Sequence, residues 1–164
     1  MNKRSITFPD INNGLGCRVT LWTSGCNHHC KGCHNQCTWG FNEGRPFNDA
    51  EKEKLFSILS LPYIKGLTLS GGDPIDNYAD VLPLAKEAKA KFPDKDIWLY
   101  TGYTVEQLRE MGRDEIIDYV DYIVDGEFVI SKRDITLAFR GSSNQRIWHR
   151  TEGGELEDMT DTLD

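Results

Sequence analysis

One unit organises this 164-residue chain: a short β-rich run, a glycine-bearing loop and a helical stretch, repeated three times and begun a fourth. Residues 17–23 (CRVTLWT) alternate and are β-rich, which predicts a first strand ending at Ser24-Gly25. A helix is expected from 48 or 49 to about 59, with acids in its first turn. Residues 66–70 read as the next strand. It stops at Gly71-Gly72-Asp73-Pro74, and a helix follows over 77–91 that Pro83 would begin or kink. The run 96–101 (DIWLYT) is a third strand, with helices over 104–111 and 114–119 behind it. Residues 122–124 form a fourth strand that ends at Asp125-Gly126. Such alternation predicts an α/β fold with mostly parallel strands joined by crossovers. A complete eight-unit barrel needs about 250 residues, so this chain can build only a partial, incomplete βα barrel.

Composition supports a folded domain. The hydrophobic fraction is 38%, and counting the 15 glycines brings it to roughly 47%, within the globular range. The net charge of −7 is concentrated at one end. Residues 151–164 (TEGGELEDMTDTLD) carry six acids and no Lys or Arg; taking those six from the 26 acidic residues leaves 20 against 19 basic ones. The expected division is a folded domain over 1–150 and an acidic, flexible C-terminal tail over 151–164. No basic face suggests nucleic acid, and no apolar run is long enough to span a membrane. The opening MNKRSITFPD has no apolar signal region, so a cytoplasmic location is expected.

All five cysteines fall between Cys17 and Cys37, three of them as Cys26-x3-Cys30-x2-Cys33. An odd, tightly clustered set without a secretory signal argues against a disulfide framework. Structural zinc sites close four ligands. Three thiolates in eight residues can instead hold three corners of an iron–sulfur cube and leave one iron open. Spacing alone favours the cluster, with zinc completed by Cys17, Cys37, His28, His29 or His34, or bare thiol chemistry, as alternatives. Gly71-Gly72-Asp73-Pro74 taken singly is an ordinary strand-to-helix turn with Pro near the first helical position. Its functional reading is a place where the main chain closely approaches a polar ligand. Every glycine-bearing loop follows a predicted strand end, and in parallel α/β sheets ligands bind at that rim.

Together, Cys-x3-Cys-x2-Cys after one strand and Gly-Gly-Asp-Pro after the next resemble the radical S-adenosylmethionine enzymes. Within them, the likeness narrows to the activating proteins of anaerobic ribonucleoside-triphosphate reductases. The matching segments include Asn13-Gly14-Leu15-Gly16-Cys17-Arg18, Gly32-Cys33-His34-Asn35, Thr101-Gly102-Tyr103, Val124-Asp125-Gly126 and Arg140-Gly141-Ser142-Ser143-Asn144-Gln145. The resemblance spans about residues 8 to 150. It implies a radical S-adenosylmethionine barrel in which Cys26, Cys30 and Cys33 ligate a [4Fe-4S] cluster. Gly32, Cys33, His34, Gly71, Gly72 and Asp73 would line the S-adenosylmethionine site. His34 departs from the tyrosine usual in the family. The implied chemistry is reductive cleavage of the cofactor and hydrogen abstraction from a glycine of the reductase large subunit. A one-electron donor such as flavodoxin or ferredoxin would supply the electron, and no conventional general base is required. A small radical enzyme acting on a small molecule, of the deazapurine-synthase kind, is the enzymatic alternative. A zinc-stabilised interaction module is the non-catalytic one.

Overall fold

The computed structural model describes residues 1–163. Eight strands form one sheet: β1 (Asn2–Asp10), β2 (Arg18–Thr23), β3 (Arg45–Pro46), β4 (Gly66–Gly71), β5 (Asp96–Tyr100), β6 (Tyr122–Asp125), β7 (Arg146–Arg150) and β8 (Leu156–Asp158). Their spatial order is β3-β1-β2-β4-β5-β6-β7-β8, and the sheet is open. The central strands β2, β4, β5 and β6 are parallel, as the repeating unit predicts. The flanks are not: β1 lies antiparallel to β2 and β3, and β7 antiparallel to β6 and β8. The sheet is therefore mixed, with a parallel centre between two antiparallel borders.

Helices α1 (Asp49–Leu59), α2 (Tyr78–Lys91) and α3 (Val105–Glu110) follow the strands as expected. Asn48 caps α1 by accepting from the Glu51 amide, and Thr104 with Gln107 forms a capping box on α3. Pro83 lies inside α2 and does not open it. No helix among the described residues is long and apolar enough to cross a membrane.

Strand pleating then sorts the side chains. Val19, Leu21, Leu67, Leu69, Ile97, Leu99 and Ile123 point to one face and form a single core with Leu55, Leu59, Leu84 and Leu108 from the helices. The alternate residues point the other way and are mostly polar or aromatic: Arg18, Thr20, Trp22, Thr68, Ser70, Trp98, Tyr100 and Tyr122. On this second face Trp98, Val124 and Ile147 form a smaller cluster. Arg18, fully buried, is held there by Asp96 at 2.6 Å, Thr68 Oγ1 at 2.7 Å and the carbonyls of Leu15 and Leu67 at 2.9 Å.

Residues 151–163, expected as a frayed tail, contain β8, which pairs Leu156 with Arg150 and Asp158 with Trp148. Met159 and Leu163 pack against the Trp98 cluster, and Thr160 Oγ1 accepts from the Ile147 amide. Three well-spaced apolar residues suffice to dock a segment whose acids face outward. Deleting residues 151–164 should accordingly lower stability by about 2–4 kcal/mol, the worth of two partly buried large side chains and the lost edge pairing. Urea denaturation of the truncated and full-length chains measures this; an unchanged midpoint would show the docked segment to be energetically idle.

Candidate functional site

At the carboxyl ends of the parallel strands lies a cavity of ≈ 360 Å³. Trp22 of β2, Ser70 of β4, Tyr100 of β5 and Val124 of β6 contribute from the second face of the sheet, with Gly71 at the end of β4. The loops after these strands complete the wall, which includes Cys26, Cys30, Cys33 and His34 together with Gly72 and Asp73. Gly32 is the one anticipated residue outside this lining: a Cβ there would meet Ile130 Cδ1 at 2.4 Å, so it faces the side chain covering the loop. All five cysteines are free. Cys17 packs on the helical core and Cys37 is exposed in the turn Gln36–Thr38, and neither lines the cavity.

The cysteine loop is tied down at its base by backbone pairing. Gly25 N donates to Thr38 O at 2.7 Å and Cys26 N to Trp39 O at 3.0 Å. His29 stacks on Trp39 with ring centroids 4.7 Å apart, and His34 meets Phe128 edge-on at 5.6 Å. Burial pushes the Cys26 thiol up to about 11, against opposing backbone hydrogen bonds, and also raises Cys30. Reactive cysteines are tuned the opposite way to Cys26 and Cys30. A bound cation would reverse the balance by stabilising thiolates.

The glycines of Gly71-Gly72 are required by the protein itself. Gly71 has φ +116, and a Cβ there would lie 2.3 Å from the Thr23 backbone. A Cβ on Gly72 would lie 2.3 Å from Gly25 O and 2.6 Å from Thr38 O. The second glycine thus lets the turn pack directly on the base of the cysteine loop. Gly72 N and Asp73 N donate to Thr23 O and Gly25 O, so both amides are already engaged.

Asp73 is 1% exposed, and its carboxylate is saturated by protein donors. Oδ1 accepts from Ile75 N at 3.0 Å; Oδ2 accepts from Thr101 Oγ1 at 3.0 Å and Gly102 N at 2.8 Å and meets His28 Nε2 at 2.7 Å. The other ring nitrogen of His28 meets Glu127 Oε1 at 2.7 Å. Burial opposes a charge on His28, but the bonds to Asp73 and Glu127 outweigh it and lift its pKa to about 9. The far wall of the cavity comes from residues 126–145, organised by one side chain. Gln145 Oε1 accepts from Gly141 N and Ser142 N while Nε2 donates to Gly126 O. Sequence reasoning weighed His28 only as a metal ligand; its actual partners lie 45 and 99 residues away, beyond any local pattern.

Because Gly72 abuts the loop that carries Cys26, Gly72→Ala should loosen that loop at an overpacking cost of about 1–3 kcal/mol. In metal-free protein the buried Cys26 thiol should then react faster with a thiol reagent, and the thermal midpoint should fall. An unchanged Cys26 rate would show that the turn and the loop are mechanically independent.

Comparison with known proteins gives a consistent result. A family model described as a 4Fe-4S single cluster domain matches residues 12–148. The anaerobic ribonucleoside-triphosphate reductase-activating protein of Enterobacteria phage T4 is 44% identical over 155 residues, covering 93% of this chain and 97% of that protein. Its namesake in Escherichia coli is 43% identical over 153 residues, covering 91% and 99%. That of Vibrio cholerae is 45% identical over 145 residues, covering 86% and 92%. With identity at this level along nearly the whole of both chains, and with the three cysteines gathered on one cavity, this chain belongs to the family of anaerobic ribonucleoside-triphosphate reductase-activating proteins.

Proposed function

We propose that this chain activates an anaerobic ribonucleoside-triphosphate reductase by generating a glycyl radical on its large subunit, as a radical S-adenosylmethionine enzyme. The observation that carries this reading is the selection among the cysteines: Cys26, Cys30 and Cys33 share one cavity while Cys17 and Cys37 lie elsewhere. The relatives named for the reductase they activate, and the matched 4Fe-4S domain, support it. In this reading β2, β4, β5 and β6 are the strands of a partial radical S-adenosylmethionine barrel, and the polar face of the sheet is its interior.

The donor set suits such a cluster. Three thiols are available together, and His28, a candidate fourth ligand, has both ring nitrogens bonded to carboxylates. When bound, the cluster and S-adenosylmethionine supply one-electron reductive cleavage and abstraction of a hydrogen atom from glycine. The chain's own residues bind, orient and exclude water. Cys26, Cys30 and Cys33 hold the iron. Gly71 and Gly72 line the cavity with main chain, and with the Gly72 and Asp73 amides engaged by Thr23 and Gly25 it is carbonyl oxygens that would suit the ammonium of an amino-acid moiety. His34 faces the same space. Gly32 shapes the loop beneath Ile130, and Asp73 holds the strand ends in register around the cofactor. A one-electron donor of the flavodoxin or ferredoxin type would complete the system.

Two outcomes test this. Cys26→Ala, Cys30→Ala and Cys33→Ala should each lose the visible absorption of an anaerobically reconstituted cluster, whereas Cys17→Ala and Cys37→Ala keep it. Mixing the reduced protein with S-adenosylmethionine and the cognate reductase should give a glycyl radical signal and 5′-deoxyadenosine. Cofactor cleavage without any glycyl radical would transfer the assignment to a small-molecule substrate.

A further inference from the structure

Between Cys26 and Cys30 the chain places His28, whose side chain is 8% exposed. Both ring nitrogens meet carboxylate oxygens at 2.7 Å, on Asp73 after β4 and on Glu127 after β6. The ring is thus held from both sides by hydrogen bonds to carboxyl groups that come from different strand ends. The ring is boxed in as well. Tyr103 lies against it with centroids 4.3 Å apart, and a Cβ on Gly102 would come within 2.7 Å of its Cδ2 and Nε2. The neighbouring Asn27 is anchored in parallel, its amide donating to Asp76 Oδ2 at 2.8 Å, while Tyr103 Oη donates to Asp76 Oδ1 at 2.5 Å.

We propose that His28 is a positioning residue for the metal cluster, a two-sided clasp that fixes the Cys26–Cys30 segment to Asp73 on one side and to Glu127 on the other. The inference rests on the reading of Cys26, Cys30 and Cys33 as cluster ligands. Three thiols on one loop define a cluster's place only as well as the loop itself is placed. Between the first two ligands the loop has little regular structure of its own. What holds it there is side-chain bonding to elements that enter from three strand ends. Glu127 also belongs to the segment whose Phe139, Arg140, Gly141 and Gln145 line the cavity, so the clasp joins that wall to the cysteine loop. The Glu127 side chain is 56% exposed and lies outside the cavity lining; it bonds His28 and its charge also acts on the Cys30 thiol.

His28→Phe keeps a ring against Tyr103 but removes both donors, and Asp73 retains Ile75, Thr101 and Gly102, so the variant is expected to fold. Glu127→Ala breaks the outer bond alone, and Glu127→Gln preserves an acceptor oxygen. In metal-free protein, hydrogen exchange of amides 26–30 should be about tenfold faster in Glu127→Ala, as for loss of one charge-assisted bond, at least as fast in His28→Phe, which loses both, and near wild type in Glu127→Gln. In reconstituted protein, iron content should hold in all three variants. The paramagnetic-resonance line shape of the reduced cluster with S-adenosylmethionine should change in His28→Phe and Glu127→Ala. Their kcat for 5′-deoxyadenosine should fall about tenfold, with little change in KM, as expected of an orientation effect. Wild-type spectra and exchange in His28→Phe would overturn the proposal. So would Glu127→Ala behaving as wild type while His28→Phe does not, because the outer half of the clasp would then be idle. Failure of wild-type protein to assemble a cluster would instead overturn the ligand assignment, and the exchange comparison would still report on the clasp.

Discussion

A carboxylate in the interior needs several donors, and Asp73 collects them from separate parts of the chain. An unpaired buried charge costs several kcal/mol, so the fold is favoured when those donors arrive together. Ile75 belongs to the same turn, Thr101 and Gly102 follow β5, and His28 comes from the cysteine loop. Satisfying one side chain therefore brings the ends of two neighbouring strands and the three-cysteine loop to a common point. Gly72 makes the arrangement tight, because only a residue without a side chain lets the turn rest on the Gly25 and Thr38 carbonyls. The cavity is a consequence of that gathering, since the space beside the turn is bounded by the same loops that Asp73 holds.

The sheet divides its labour by face. Buried parallel sheets usually have helices on both sides and apolar residues along each strand. Here the helices cover only one side, and the strands alternate accordingly: Leu67 and Leu69 enter the core while Thr68 and Ser70 turn toward the other face. That second face is closed without helices. Arg18, Thr68 and Asn13 bond beneath the loop at 12–16, and Trp98 stacks on Tyr122 at 4.4 Å with Phe139 edge-on at 5.2 Å. The polar and aromatic floor leaves the strand ends free to line a cavity.

The parallel centre and its helices were legible because their signals are local: alternation, glycine at the strand ends, and acids in the first turn of the helix that starts near Asn48. The borders were not. β1 mixes charged residues with Pro9, is covered by β3 only at Asn2 and Lys3, and is mostly half-buried or exposed, and so lacks a clean apolar face. β8 lies in a segment whose acids outnumber its apolar residues, and only contact with Trp98, Val124 and Ile147 shows what Met159 and Leu163 are for. Among site residues, the three cysteines could be read from spacing within eight positions. Gly72 was recognisable as a place without room for a side chain, yet the neighbour that demands it, the Gly25 carbonyl, is set by tertiary packing. His28 was visible only as a potential ligand, because its two carboxylate partners are distant in sequence.

The two kinds of cavity wall are held by different forces, and this bears on how they can move. The base of the cysteine loop and the Gly71-Gly72 turn are fixed by backbone hydrogen bonds to each other and to β2. Moving either would break several main-chain bonds in a buried setting, where each unmet donor or acceptor costs about 1–3 kcal/mol. Residues 126–145 contain one short 3-10 turn, Ile130–Lys132, and a single bridge between Arg133 and Ser142. Besides a few main-chain bonds, among them Ser143 N to Lys132 O and Asp134 N to Gly141 O, they are held by side chains, with Gln145 bonding Gly126, Gly141 and Ser142, and Asn144 bonding the Glu127 carbonyl. Segments held this way open locally at lower cost than strands in a ladder. The cavity therefore combines a wall that fixes the positions of the three thiols with one that can yield at smaller cost. Such an asymmetry suits the proposed function, in which the three cysteines would hold a cluster in place while a reductase approaches.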